Sequence, residues 1–600
     1  MDTNNSIAIV GGGISGLYTA WRLLDAGYPA DKITLYESAD HVGGRLLTVN
    51  PENLLEGQYD GSIPDATHCE LGGMRIPKGY DNYVKRLVHH FDLETEKFPT
   101  DNNNNWHYLR GTTQQTIDFN DPDNYPEKVP FRLSEEELKA ITRSNAEQDT
   151  VGIEGPISEA FFKNKQILLH KKKPAKGGPN VFEWVSYVLG ATVNFGSGET
   201  NLSSLGFSDL LNNSGQHGSP YPWNLSNEYY QFLTSAGGYD TEEASWNAAA
   251  AAAVILANFG PGSDFITLKQ GFRQLPATLA SEIAKYSTNI IHTQHTAISL
   301  APTPTGGVEL GVQTAEGTNL SSYDQVILAL PPVAVKSLLR PFFDTTPNLA
   351  YNLGQVTPVP AVKMYLMYPQ DNDGKAWWER LGLSIEQYTR MTTDLPIRQV
   401  YHFGTYTGNG KKSYSVLQIS YEDGLTPGYW AGLLADEENK DLNTGLYGNT
   451  DSSTPPEIPY LKNFPVYQQA SDNTTFMNDY PVFAVAHEQW VNFVNQIPTL
   501  SDGEADFPVA GGIVDWGLAP YGGAWNFWNV NVDVRSQYYN LMQPIPDAPI
   551  FVQGEGYSLL QGWAEGAIWT AEAILVNHLQ VGASNHGWKP PFDVHAFPQE

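Results

Sequence analysis

Four consecutive apolar residues, Ile7-Ala8-Ile9-Val10, run directly into Gly11, Gly13 and Gly16. A short unbroken apolar run predicts a strand buried on both faces of a parallel sheet. After the glycines, Leu17, Ala20, Leu23 and Leu24 recur at helical spacing, so the glycines lie between a strand and a helix. Gly11 permits the tight turn, Gly13 lets the backbone approach a pyrophosphate, and Gly16 lets the helix pack on the sheet. Ile14 and Ser15 open that helix, whose N-terminus offers N–H donors to an anion. A second strand, Ile33-Thr34-Leu35-Tyr36, ends at Glu37, where a carboxylate accepts hydrogen bonds from an adenosine ribose and repels a 2′-phosphate. Together these predict a Rossmann-like dinucleotide-binding unit, compatible at this point with NAD or FAD.

With 600 residues, 41% of them hydrophobic, the chain can bury more than one core, and two or three domains are expected. The balance of 35 Lys and Arg against 66 Asp and Glu leaves a net charge of −31, which disfavours nucleic acid and anionic membrane surfaces as partners. The opening Met-Asp-Thr-Asn-Asn lacks a basic segment followed by an apolar one, so no secretory signal and a cytoplasmic location are expected. The most apolar stretch, Ala248 to Ala257, is far shorter than the ~20 residues that span a bilayer. The single cysteine, Cys69, precludes an intrachain disulfide and a cysteine-based zinc cage, and no metal site is expected.

Gly43-Gly44-Arg45, just past the second strand, resembles the GGR element of the flavin amine oxidase superfamily, in which the arginine lies along the cofactor phosphates. That resemblance favours FAD. Near the C-terminus, Pro549-Ile550-Phe551-Val552-Gln553 predicts a strand leading to Gly554-Glu555, and Gln561-Gly562-Trp563-Ala564-Glu565-Gly566-Ala567 opens a helix through about Val576. This segment is similar to the superfamily's C-terminal FAD motif, which implies Glu555 at the ribityl chain. It also implies the helix start, with Trp563, Ala564 and Ala567, at the flavin ring, where a helix dipole stabilises negative charge. Phe272 to Pro276, a following helix and Asn289 to His292 resemble the superfamily's returning segment, with Ala297 on the adenine side. Gln325 to Leu330 predicts a further buried strand, stopped by Pro331-Pro332.

The resemblance implies an α/β (α+β overall) architecture of three interleaved parts. The discontinuous FAD-binding domain would use residues 1–75, 260–330 and 540–600. A mixed-sheet substrate domain would use 76–125 and 331–539, with an inserted helical region over 126–259. Cys69 lies far from the C-terminal segment that tethers flavin in monoamine oxidases, so non-covalent FAD is expected.

The substrate is suggested by Glu70-Leu71-Gly72-Gly73-Met74-Arg75-Ile76-Pro77, which resembles the G-x-M-R-x-P motif of L-amino acid oxidases. There Gly72, Gly73, Met74 and Arg75 run along the flavin, and the arginine grips the substrate carboxylate. A guanidinium presents a planar fork that matches a carboxylate, although an arginine paired with an internal carboxylate such as Glu70 would leave the same pattern. Asp394 to Tyr401 is similar to the segment carrying a substrate-binding tyrosine, which implies that Tyr401 donates to the carboxylate. Gly562 and Trp563 would face the α-amino group. Lys363, in the apolar run Pro360 to Leu366, reads by itself as a solvating residue of an edge strand. The resemblance instead implies the lysine that holds a water against flavin N5 and assists the reaction of reduced flavin with oxygen.

Some family members carry an active-site histidine from the helical domain, yet this chain has none between His217 and His292. No protein general base is assigned. Gly512 to Trp528, with Trp516, Tyr521, Trp525 and Trp528, resembles a loop that could wall the side-chain pocket. Ser134-Glu135-Glu136-Glu137 predicts a capped helix start. Lys171 to Lys173, Asn102 to Asn105 and residues 448–456 read as polar loops. The implied activity is oxidation of an L-amino acid, by hydride transfer from the α-carbon, to a 2-oxo acid with ammonia and hydrogen peroxide. An amino acid 2-monooxygenase giving an amide, an amine oxidase and a non-catalytic flavin-binding protein are the alternatives. Substrate amino acid and oxygen are the expected partners, and a homodimer or higher homo-oligomer is expected.

Overall fold

The computed structural model describes residues 2–56, 61–80, 82–98, 102–120, 130–134, 167–168, 180–194, 198–211, 226–239, 245–258, 265–408, 412–434, 481–518 and 521–594. The segments Glu135 to Glu137, Lys171 to Lys173 and 448–456 lie outside these residues.

A five-stranded parallel sheet sets Ile291–His292, Ile33–Tyr36, Ile7–Val10, Gln325–Ala329 and Ile550–Gln553 side by side. Ile7–Val10 is its central strand and is buried throughout, which is why its sequence shows no polar alternation. Helix Ile14–Asp25 and the C-terminal helix Ala564–Asn577 pack together, and polar contacts fix their register. Ser15 Oγ donates to the Ala567 carbonyl at 3.0 Å, and the Tyr18 hydroxyl donates to Glu572 at 2.7 Å. Arg22, buried beside them, forks onto both Glu572 oxygens at 3.2 and 3.3 Å, and the Glu572 charge offsets the cost of burying it. Strands from both ends of the chain are thereby closed into one layer.

A second, seven-stranded mixed sheet runs in the order Ala510–Asp515, Ala361–Pro369, Ser413–Asp423, Gln399–Thr407, Arg390–Thr393, Trp106–Leu109 and Thr112–Gln115. The pairing of Arg390–Thr393 with Trp106–Leu109 is parallel, and the others are antiparallel. The Lys363 strand therefore has a neighbour on each side, contrary to what a lysine in an apolar run suggests by itself. The 512–528 segment, expected as a loop, instead contributes two strands, Ala510–Asp515 and Trp525–Trp528. Asn102 to Asn105 does form a turn region, tied to the segment just before strand Arg390–Thr393 by bonds from Asn102 Nδ2 to Glu386 O and Thr389 Oγ1.

Helix Asn227–Gly237 packs on strands Arg390–Thr393 and Trp106–Leu109 of the mixed sheet, and helix Ala248–Asn258, buried at every residue, packs on helix Val181–Val188 and strand Trp525–Trp528. Asn247 caps helix Ala248–Asn258, its side-chain oxygen accepting from the Ala249 and Ala250 amides at 3.1 and 3.2 Å. Helix Asn227–Gly237 ends at Gly238, whose φ of +80° suits glycine and where a Cβ would come within 2.5 Å of Gln399 Cγ. Gln399 Nε2 donates to Gly238 O at 3.0 Å and Arg390 donates to Gly237 O at 2.7 Å. These bonds fasten the helix end to the mixed sheet and place the next residue, Tyr239, against it. No helix among the described residues is long and apolar enough to cross a membrane.

Candidate active site

One cavity of about 740 Å³ runs from the glycine turn of the parallel sheet to the face of the mixed sheet. Such a volume lies within the usual range of cofactor and ligand pockets, about 300–1,000 Å³. At its first end are Gly11, Gly13, Ile14 and Ser15. Gly11 has φ +109°, and a Cβ there would meet the Ala329 carbonyl at 2.3 Å. Nothing lies within 4 Å of a Cβ built on Gly13, so the turn faces open space. Gly13 makes no side-chain cap and the first helical turn carries no acidic residue, leaving the N-terminal amides and their partial positive charge for an anion. Gly16 is turned inward, and a Cβ there would lie only 2.0 Å from Gly11 O; it packs helix on turn and does not line the cavity.

Glu37 lines the next section, oriented by the Gly12 amide at 2.7 Å and the Ala39 amide at 2.8 Å. Tyr36, His295 and Ala297 wall this end, with the Tyr36 and His295 rings nearly parallel. Further along, Arg45 donates to Glu555 at 2.9 Å and to Ala524 O at 2.7 Å. Glu555 also accepts from the Asn526 amide, Asn526 Nδ2 and the Gly562 amide at 2.8 to 3.0 Å. Gly44, Gly72, Gly73, Gly554, Gly562, Trp563, Ala564 and Ala567 complete the cofactor-side wall. The anion cradle, the Glu37 carboxylate beyond it and the long cleft fit FAD. Cys69, fully buried in the strand Cys69–Glu70, is not on that wall.

Lys363 stands on the mixed-sheet wall. Its ammonium donates to the Gly72 carbonyl at 2.5 Å and lies 4.7 Å from the centre of the Tyr421 ring. Burial pulls its pKa down to about 7, against the opposing pull of the Glu70 carboxylate. Glu70 itself is buried, and its oxygens accept from Thr48 Oγ1 at 2.9 Å and the Phe272 amide at 2.6 Å, with His68 Nε2 at 3.5 Å. Those bonds are with groups other than Arg75. Trp516, Tyr521 and Trp525 line the cavity, whereas Trp528 is buried behind it and donates to Ser558 O.

Met74, Arg75 and Tyr401 are not on this cavity wall; they form a packed cluster directly beside Trp563. Phe265 stacks parallel to Trp563, and the half-buried Arg75 guanidinium lies 4.7 Å over the Phe265 ring and 5.9 Å from Phe98. Burial works against that charge, but the phenols of Tyr239, Tyr401 and Tyr421 around it hold the guanidinium above its ordinary pKa. Tyr401 is fully buried; its hydroxyl accepts from Arg390 Nε at 2.9 Å and donates to Gln399 at 3.0 Å. A phenol has one proton to give, so in this arrangement Tyr401 does not offer it to a substrate. Tyr239, Tyr421, Arg390 and Gln399 escaped the sequence reading. The Lys363–Tyr421 strand register brings in Tyr421, the pairing of Arg390–Thr393 with Gln399–Thr407 brings in Arg390 and Gln399, and the helix end at Gly238 brings in Tyr239.

A family model described as flavin containing amine oxidoreductase matches residues 14–440. The chain belongs to that family. It is a flavin-dependent oxidoreductase whose cofactor is FAD. The chain is 24% identical to aplysianin-A of Aplysia kurodai, over 96% of this chain and 91% of that protein. Against an L-amino-acid oxidase of Notechis scutatus scutatus the identity is 25%, over 66% and 62% of the two chains. A putrescine oxidase structure, a double mutant redesigned in cofactor binding, superposes with a TM-score of 0.56 at 14% identity, covering 96% of this chain and 99% of that one. That likeness shows the shared fold.

Proposed function

We propose that this family member is an L-amino acid oxidase, converting its substrate to a 2-oxo acid with release of ammonia and hydrogen peroxide. The observation that carries the reading is Arg75, a cation held among Phe265, Phe98 and three phenols beside Trp563. A partly desolvated planar guanidinium is suited to a carboxylate, and a simple amine gives it nothing to bind. The relatives named L-amino-acid oxidase support the same reading.

Bound FAD supplies the hydride acceptor for the α-hydrogen and the electron donor to oxygen. In this reading Arg75 orients the substrate by its carboxylate, and Arg390 and Gln399 hold Tyr401 close behind it. Gly562 and Trp563, at the start of the C-terminal helix, present backbone and ring to the α-amino group. Lys363 holds a proton and a positive charge at the Gly72 carbonyl, where it assists oxygen reduction. On the cofactor side, Gly11, Gly13, Ile14 and Ser15 hold the pyrophosphate, and Glu37 holds the ribose. No histidine stands between His217 and His292 to abstract a proton, and the ammonium proton leaves to water. Oxygen uptake across L-amino acids tests the proposal: Arg75→Gln raises KM steeply, and an unchanged KM removes Arg75 from the carboxylate site.

A further inference from the structure

Tyr239 stands where the helical region meets the candidate substrate site. Its hydroxyl accepts a hydrogen bond from an Arg75 Nη at 3.0 Å, and its ring meets that of Tyr421 edge-on, with centroids 5.7 Å apart. Tyr421 in turn lies under the Lys363 ammonium. Tyr239 is half-buried, and the bond from Arg75 uses only an oxygen lone pair of its hydroxyl, leaving the O–H proton to donate. Its position is imposed from outside the site. Gly238, at φ +80°, turns the chain out of helix Asn227–Gly237, while Arg390 and Gln399 grip the two preceding carbonyls.

Resting on the reading of Arg75 as the carboxylate anchor, we infer that Tyr239 is a second substrate-binding residue, donating its hydroxyl proton to the carboxylate that Arg75 holds. The carboxylate then receives the guanidinium N–H groups and one phenolic O–H, all charge-assisted. Tyr401, the tyrosine that sequence resemblance favours for this task, has its proton engaged by Gln399. Arg390 and Gln399 act as positioning residues, since each bonds both the Tyr401 hydroxyl and the helix end that carries Tyr239. The site thereby selects for an α-carboxylate through two parts of the fold at once.

The test uses FAD-loaded protein and benzoate, a carboxylate that cannot be oxidised at an α-carbon, titrated by the flavin absorbance change. Tyr239→Phe retains the ring contact with Tyr421 and removes only the hydroxyl. It is expected to raise the benzoate Kd about tenfold or more, as for loss of a hydrogen bond to a charged group. KM for an amino acid substrate rises similarly while kcat changes much less. Gly238→Ala keeps the phenol but displaces it, and weakens benzoate as well. An unchanged benzoate Kd in Tyr239→Phe, with binding weakened in Arg75→Gln, overturns the inference and leaves the carboxylate site standing. An unchanged Kd in Arg75→Gln overturns both.

Discussion

The ammonium of Lys363 and the ring of Tyr421 face each other at 4.7 Å across a register pair of adjacent strands, with the Gly72 carbonyl as the ammonium's hydrogen-bond acceptor. A positive charge is thus held against the cavity by a carbonyl and a ring. Lys363→Met is expected to slow reoxidation of the reduced enzyme by oxygen roughly 100-fold or more, while substrate reduction of the flavin changes less. Rapid mixing of reduced enzyme with oxygen separates the two half-reactions.

The same lysine sets a pH dependence. Its charge is lost as pH rises through about 7, so the oxygen reaction proposed to use it is expected to fall above that pH, with the inflection abolished in Lys363→Met. In the unfolded chain a lysine keeps its proton to about pH 10.4. Between those values the unfolded chain binds more protons, so stability rises with pH across the window. Denaturant midpoints at pH 7 and pH 9, compared with those of Lys363→Met, check the sign.

Glu37 is held by two backbone amides before any ligand arrives, so its carboxylate is preset for the ribose contact proposed for it. Glu37→Ala is expected to raise the FAD Kd roughly 10- to 100-fold, measured by flavin fluorescence on adding cofactor to stripped protein.

Glu555 gathers four donors, from Arg45, Asn526 and Gly562. In Glu555→Gln an amide NH₂ faces at least one of those donors, and the charge on Arg45 loses its partner. Loss of bound FAD and a stability decrease of roughly 2–3 kcal/mol are expected from a denaturant titration.

How much of this was legible in the sequence divides along physical lines. The parallel sheet and its cradle were readable because strand, turn and helix are contiguous there: Gly11 to Glu37 form one unit, and the segment from Ile550 to Ala567 forms its counterpart. Glycines demanded by φ or by close approach carry a local signal. The substrate side is built by registers and helix ends distant in sequence. Tyr421 meets Lys363 through strand pairing, and Tyr239 meets Arg75 across 164 positions, so neither leaves a spacing to read. The hydroxyl of Tyr401 looked free by motif because its partners, Arg390 and Gln399, have no pattern of their own. Trp525 to Trp528 looked like a loop because a short aromatic strand gives too little alternation to count.

The proposed carboxylate contact of Arg75 separates amino acids from simple amines as substrates, and the products of turnover test it most directly. FAD-loaded enzyme is incubated with the L-amino acid that gives the fastest oxygen uptake, and the products are quantified against oxygen consumed. One 2-oxo acid, one ammonia and one hydrogen peroxide are expected per oxygen molecule. An amide with carbon dioxide, or turnover of simple amines with no response to any amino acid, would contradict the proposed function.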